Sequence, residues 1–176
     1  WANPLIVDGF SSGEIYEELN IGVDGTEKSG GVVAPTECIG GRRDYTMYVD
    51  GGDEVGCVLV TLPLGPNPTK LTYSNDATVV GRLELKYGFQ QPLAVDVTAY
   101  SAFEVEVLSS DLEADIHIVL VDGDGKSDSS ETKTIPAKTT DLTVVVPLSE
   151  FTGIDLTNIS SIHVWVQGTV PELDIK

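Results

Sequence analysis

The segment Asp122-Gly123-Asp124-Gly125-Lys126-Ser127-Asp128 sets three carboxylates at positions i, i+2 and i+6 around two glycines. Hard divalent cations take oxygen ligands spaced in this manner on glycine-permissive loops, so Asp122, Asp124 and Asp128 form a candidate calcium site. Lys126 replaces the third ligand and no glycine falls at the sixth position, which rules out an EF-hand loop. The same residues also spell an Asp-Gly hairpin turn whose acids face water, and both readings stand at this level.

A second set of candidates lies in Ile162-His163-Val164-Trp165-Val166-Gln167. Its strict alternation puts His163, Trp165 and Gln167 on one strand face and the aliphatic residues on the other. An aromatic ring flanked by hydrogen-bonding side chains is a surface on which a sugar stacks. Aromatics make up only 7% of the chain, however, and a Trp in a β-sandwich also serves as core. Cys38 and Cys57 are separated by a length that a hairpin closes; they form a disulfide or remain two buried thiols acting as small hydrophobes. CxxC spacing is missing and His117 and His163 are distant in sequence from both cysteines, which argues against zinc.

Two catalytic spellings fail on context. Gly9-Phe10-Ser11-Ser12-Gly13 matches G-x-S-x-G, but that motif needs a strand, a strained turn and a helix within a parallel sheet. Glu172-Leu173-Asp174-Ile175 resembles the strand of jelly-roll glycosidases that projects two carboxylates into a cleft, but the chain ends before the second Glu. No enzymatic activity is expected.

The elements that must carry these residues read as strands. Arg82 to Tyr87, Phe103 to Val107 and Asp115 to Ile118 all alternate polar with apolar, and the pattern recurs about a dozen times. Asp24-Gly25, Asp50-Gly51-Gly52-Asp53, Pro66-Asn67-Pro68, Ser74-Asn75-Asp76 and Asp122 to Gly125 punctuate the runs as turns. This predicts an all-β, antiparallel two-sheet sandwich forming a single domain over residues 1–176. Helix is expected only at Glu14 to Leu19 and as one turn at Ser149 to Phe151. Twenty-eight acidic against 10 basic residues give a net charge of −18. That balance argues against nucleic acid and anionic membrane surfaces as partners. No apolar run approaches the roughly 20 residues that span a bilayer, so membrane insertion is not expected. Starting at Trp1 with no leader pattern, the chain is expected to be a processed, exported form.

Asp96-Val97-Thr98-Ala99-Tyr100, Phe103 to Val107, Pro147-Leu148-Ser149-Glu150-Phe151 and Asp155 to Ile162 follow one another in an order that resembles the second half of a jelly-roll β-sandwich of the galactose-binding or carbohydrate-binding-module type. The resemblance implies an exported binding fold. It also implies a structural calcium between the first and last strands, with Asp8 of Val7-Asp8-Gly9-Phe10 as a ligand, although Gly9 stands where the family has a second acid. Gly40-Gly41-Arg42-Arg43-Asp44 is similar to the Gly-Gly-x-Arg-Asp segment of exported bacterial surface proteins, where Arg43 and Asp44 are expected to form an ion pair at a strand start.

Together these observations favour a non-catalytic structural or surface-assembly subunit, secreted or on the cell surface. It would form a homo-oligomer or filament by pairing an edge strand, Glu172 to Lys176, with a neighbour. The alternative is a calcium-assisted carbohydrate-binding module with an extracellular glycan as partner.

Overall fold

The computed structural model describes residues 5–10, 14–19, 27–34, 38–52, 58–62, 70–75, 79–169 and 174–175. Among them thirteen strands form two sheets, and every strand pairing is antiparallel. In chain order they are β1 (Ile15–Leu19), β2 (Glu27–Val33), β3 (Arg42–Gly52), β4 (Val58–Leu62), β5 (Thr72–Asn75), β6 (Val79–Tyr87), β7 (Ala102–Ser110), β8 (Ala114–Asp122), β9 (Ser127–Ser129), β10 (Lys133–Ile135), β11 (Thr139–Pro147), β12 (Ile159–Gly168) and β13 (Asp174–Ile175). One sheet runs β1-β4-β5-β13-β7-β11. The other runs β10-β8-β12-β6-β3-β2, with β9 hung on β8. Successive strands cross repeatedly from one sheet to the other, as in a jelly roll.

Period-two patterning sets which side each strand buries. Along β8, Ala114, Ile116, Ile118 and Leu120 face the core while Asp115, His117, Val119 and Val121 face outward. Leu83, Leu85 and Tyr87 of β6, Met47 and Val49 of β3, and Val58, Val60 and Leu62 of β4 complete the same interior. In β12 the buried Ile159 and Ile162 are three residues apart, a spacing that breaks the alternation. A bulge at Ser160 absorbs the extra residue and restores the phase. From there His163, Trp165 and Gln167 lie on the outer face.

Three expectations are corrected. Glu14 to Leu19 is strand β1, not helix: Ile15 and Leu19 are four apart, which aligns them on one side of a helix and of a strand alike, and pairing with β4 decides between the two. The turn anticipated at Ser149 to Phe151 is a 3-10 turn over Leu148–Glu150. The C-terminal strand is not an edge. Its described residues sit inside the six-stranded sheet, with Asp174 and Ile175 opposite Ser74 and Tyr73 of β5, and Ile175 opposite Ser110 of β7. Ile175 is thus paired on both sides, which is not the open row of an edge strand.

Candidate functional site

The outer face of the seven-stranded sheet gathers side chains from five strands into aligned rows. His117 of β8 stands opposite Trp165 of β12, Trp165 opposite Glu84 of β6, Glu84 opposite Thr46 of β3, and Thr46 opposite Ser29 of β2. The row to one side holds Asp115, Gln167, Arg82, Tyr48 and Glu27; the row to the other holds Val119, His163, Lys86, Asp44 and Gly31. Alternation makes these rows largely polar and aromatic because the intervening residues of β8, β12, β6 and β3 point inward.

Most of the polar groups pair with one another, while Arg82 Nε and Trp165 Nε1 are buried without a hydrogen-bond partner among the described residues. Glu84 accepts from Tyr48 Oη at 3.1 Å, pairs with His163 Nδ1 at 2.7 Å and lies 3.6 Å from Lys86 Nζ. Lys86 donates to Thr46 Oγ1 at 2.7 Å, and Thr46 shares a hydrogen bond with Ser29 at 2.8 Å. Burial works to raise the Glu84 carboxyl, but the His163 hydrogen bond and the Lys86 charge overcome it and hold the group below the usual carboxylate range. His117 is pushed below the usual imidazole value by burial and by the nearby Arg82 charge. The Trp165 ring stacks against His117 at 5.7 Å and 7°, and against Tyr48 at 5.7 Å and 20°, with the Arg82 guanidinium within 4.6 Å of both the indole and the phenol centroid. These rings turn their faces toward one another rather than toward solvent.

Ser161 Oγ, His163 and Glu84 form a line with the hydrogen-bond order of a nucleophile, a base and an orienting carboxylate, Ser161 Oγ lying 3.2 Å from His163 Nε2. Ser161 is 6% exposed. Gly88 and Leu93 close over it, Leu93 N–H donating to the Ser160 carbonyl. The line braces the strand and offers no open nucleophile.

Beside the stack, toward β2, the face falls into a hollow of about 450 Å³ bordered by Glu27, Ser29, Arg42, Asp44, Tyr48 and Phe89 among others. A second hollow of about 240 Å³ shares Arg42, Asp44, Phe89 and Gln90 with the first. Arg42 Nε donates to Asp44 Oδ1 at 2.8 Å. Gly31 makes room for this pair: a Cβ there would lie 2.1 Å from Asp44 Oδ1 and 2.4 Å from Arg42 Nη2. Phe89, just past the left-handed Gly88 at the end of β6, is 60% exposed.

Of the residues singled out from sequence, His163, Trp165 and Gln167 share this face as their alternation requires. The residues around them were missed. The alternation of β6 marks Arg82, Glu84 and Lys86 as its polar half, but nothing local says that β6 lies beside β12, or that β3 follows it.

The acidic residues serve other purposes. Both oxygens of Asp122 are used within the β8–β9 hairpin and its neighbour: Oδ1 accepts the N–H groups of Asp124 and Lys126 at 3.0 and 2.9 Å, and Oδ2 that of Asp155 at 3.1 Å. Asp128 accepts the N–H groups of Ser129, Thr152 and Gly153, while Asp124 is exposed. Among the described residues no group of three or more His, Cys, Asp or Glu side chains is placed to hold a metal ion. Asp8, implied as a calcium ligand, instead meets Arg43 in a two-pronged ion pair, the side chains 3% and 0% exposed. It also accepts from Tyr87 Oη at 2.8 Å and from Phe10 N–H at 2.8 Å, so its lone pairs are taken and a cation already stands beside it. The expected Arg43–Asp44 pair is likewise replaced by Asp8–Arg43 and Arg42–Asp44. Neighbours along a strand point to opposite faces and cannot pair. Cys38 is buried, its Sγ 3.5 Å from the Ala34 carbonyl, and Cys57 lies outside the described residues.

No family model matches the chain, and no curated protein matches it. Solved structures of similar shape include the family 11 carbohydrate-binding module of the cellulosomal cellulase Lic26A-Cel5E of Clostridium thermocellum, 15% identical, with a TM-score of 0.40 over 93% of this chain and 92% of that one. A carbohydrate-binding module specific for non-crystalline cellulose is 12% identical, with a TM-score of 0.38 over 89% and 88%. The enzymatically active domain of tailspike protein 4 of bacteriophage CBA120 is 13% identical, with a TM-score of 0.44 over 74% of this chain; the match spans only 18% of that domain. These likenesses are of β-sandwich shape and carry nothing about ligand or activity.

Proposed function

We propose that this protein is a carbohydrate-binding module that recognises glycans on the outer face of its seven-stranded sheet. The observation that supports this most strongly is the pair of polar hollows beside an exposed aromatic. Arg42, Asp44, Ser29 and Gln90 provide donors and acceptors for sugar hydroxyls, and Phe89 provides a ring for the apolar face of a pyranose. The larger hollow is the size of a small-molecule site, which typically runs to about 300–1,000 Å³. A secreted or cell-surface location goes with this role. Calcium assistance forms no part of the proposal, because the Asp122 and Asp128 carboxylates accept backbone N–H groups and Asp8 pairs with Arg43. Self-association through the C-terminal strand is likewise dropped, that strand being internal.

The test is a glycan array probed with the wild-type protein and with the Arg42→Ala/Asp44→Ala double variant. Binding by the first and its loss in a still-folded second are expected. An array on which the wild type binds nothing overturns the proposal.

A further inference from the structure

Taking the glycan reading of this face as its premise, we infer that the ligand is a neutral glycan bound by its chain end, about two sugar residues deep, in the hollows on either side of Arg42 and Asp44. A long stretch of chain laid across the His163, Trp165 and Gln167 strip does not fit the same geometry.

Three features of the face carry this. The first is where ring faces are available. A chain lying along the sheet needs successive rings presented flat, but Trp165 has His117 on one side and Tyr48 with Arg82 on the other. With a stacked ring on each side, Trp165 has no free face to serve as a platform. Phe89, at the opposite rim, is the aromatic of this face that is well exposed, with Lys86 Nζ 4.6 Å from its centroid.

The second is how the hollows are bounded. Tyr48 lines the larger hollow and also belongs to the stack, so a sugar seated there meets the stacked rings at its inner end. The two hollows share Arg42, Asp44, Phe89 and Gln90, which makes them neighbouring subsites around one ion pair. A pair offering guanidinium donors beside carboxylate acceptors suits vicinal hydroxyls, each of which both donates and accepts.

The third is charge. Glu27 and Asp44 balance Arg42 and Lys86 around the larger hollow, and both cations already have acidic partners, Arg42 with Asp44 and Lys86 with Glu84. Among the described residues lining the hollow, no uncompensated cation waits for a uronate or sulfate. A net charge of −18 adds long-range repulsion of any anionic polymer.

Titration calorimetry with neutral linear oligosaccharides of two to six residues, with oligogalacturonate, and with microcrystalline cellulose in a pull-down tests this. The expected result is binding of at least one neutral series. Per-chain affinity should level off by the disaccharide or trisaccharide and fall about tenfold or more in Phe89→Ala, the loss of one good contact. Phe89 is exposed, so that variant keeps its fold. Trp165→Phe, which retains the stack, should bind within about threefold of wild type. An affinity that climbs more than about tenfold from disaccharide to hexasaccharide overturns the chain-end inference, as does preferential binding of oligogalacturonate or of the crystalline polymer. Each of those results leaves the glycan reading intact. Absence of binding to every probe overturns both.

Discussion

Breaking the Asp8–Arg43 pair should be among the most damaging single changes this protein can suffer. Both side chains are buried at one end of the sandwich, and Tyr87, also buried, completes the group. Burial alone works to lower the Arg43 guanidinium, yet the Asp8 hydrogen bonds and charge raise it above its ordinary value, so attraction outweighs desolvation at this site. Burial and the Asp8 charge hold the Tyr87 hydroxyl well above the usual phenol range, which keeps it a donor at any physiological pH. Removing one partner strands the other charge away from water, a loss of about 3–5 kcal/mol. For a chain of this length each kcal/mol moves Tm by roughly 2–4 °C, so Asp8→Leu or Arg43→Met should each melt roughly 6–20 °C below wild type.

Thermal melts followed by far-UV circular dichroism, backed by urea unfolding with an unchanged m-value, measure the effect. The double variant Asp8→Leu/Arg43→Met should lose much less than the sum of the two singles, because an apolar pair leaves no charge unpaired. Chelation of divalent ions should leave the wild-type Tm in place. Either single variant melting within about 2 °C of wild type, or a wild-type Tm that drops several degrees in EDTA, would refute the reasoning.

Three further outcomes are expected. Because the Glu84 carboxyl is lowered from its ordinary value of 4.5, its contribution to stability is complete above that pH and is lost as the pH falls through the lower folded value; Glu84→Gln should flatten the Tm profile in that acid range. His117, lowered from 6.5, has the same sign at higher pH: the unfolded chain takes up the proton first, so stability declines as the pH drops below 6.5, and His117→Gln should remove that part of the slope. Deleting residues 173–176 should unfold or strongly destabilise the protein, since Ile175 is buried and β13 bridges β5 and β7; a folded deletion variant by circular dichroism would contradict the interior placement.

The fold was legible because its signal is local. Alternation in Arg82 to Tyr87 or Ile162 to Gln167 says which side chain faces in, and Asp122 to Gly125 says where the chain turns, so a two-sheet sandwich follows without knowing any pairing. What the alternation leaves out is the order of strands. The candidate strip His163, Trp165 and Gln167 was visible, but its meaning changed once β6 and β8 flanked it: a Trp that reads as a platform in one strand is covered on both faces when His117 and Tyr48 close against it. The C-terminal strand shows the same gap, because its sequence is that of an edge and only the threading of Asp174 and Ile175 between β5 and β7 makes it interior.

The acidic residues read two ways for a different reason. Ligand spacing for a cation and hydrogen-bond spacing for a turn draw on the same chemistry, an oxygen-rich group beside a backbone free to curl. In the Asp122 to Asp128 segment the Asp122 carboxylate accepts the backbone N–H groups of Asp124, Lys126 and Asp155. At Asp8 the cation is supplied by the protein itself, from Arg43, thirty-five residues along the chain. The resemblance implied calcium beside this carboxylate, and the structure places a positive charge there. The resemblance could not say that this charge is a guanidinium. An Arg43→Met variant tests that substitution of roles directly: if calcium can take over the vacated position, millimolar calcium should restore part of the lost Tm in this variant while leaving wild type unmoved, and no restoration would mean that the site is shaped for the guanidinium alone.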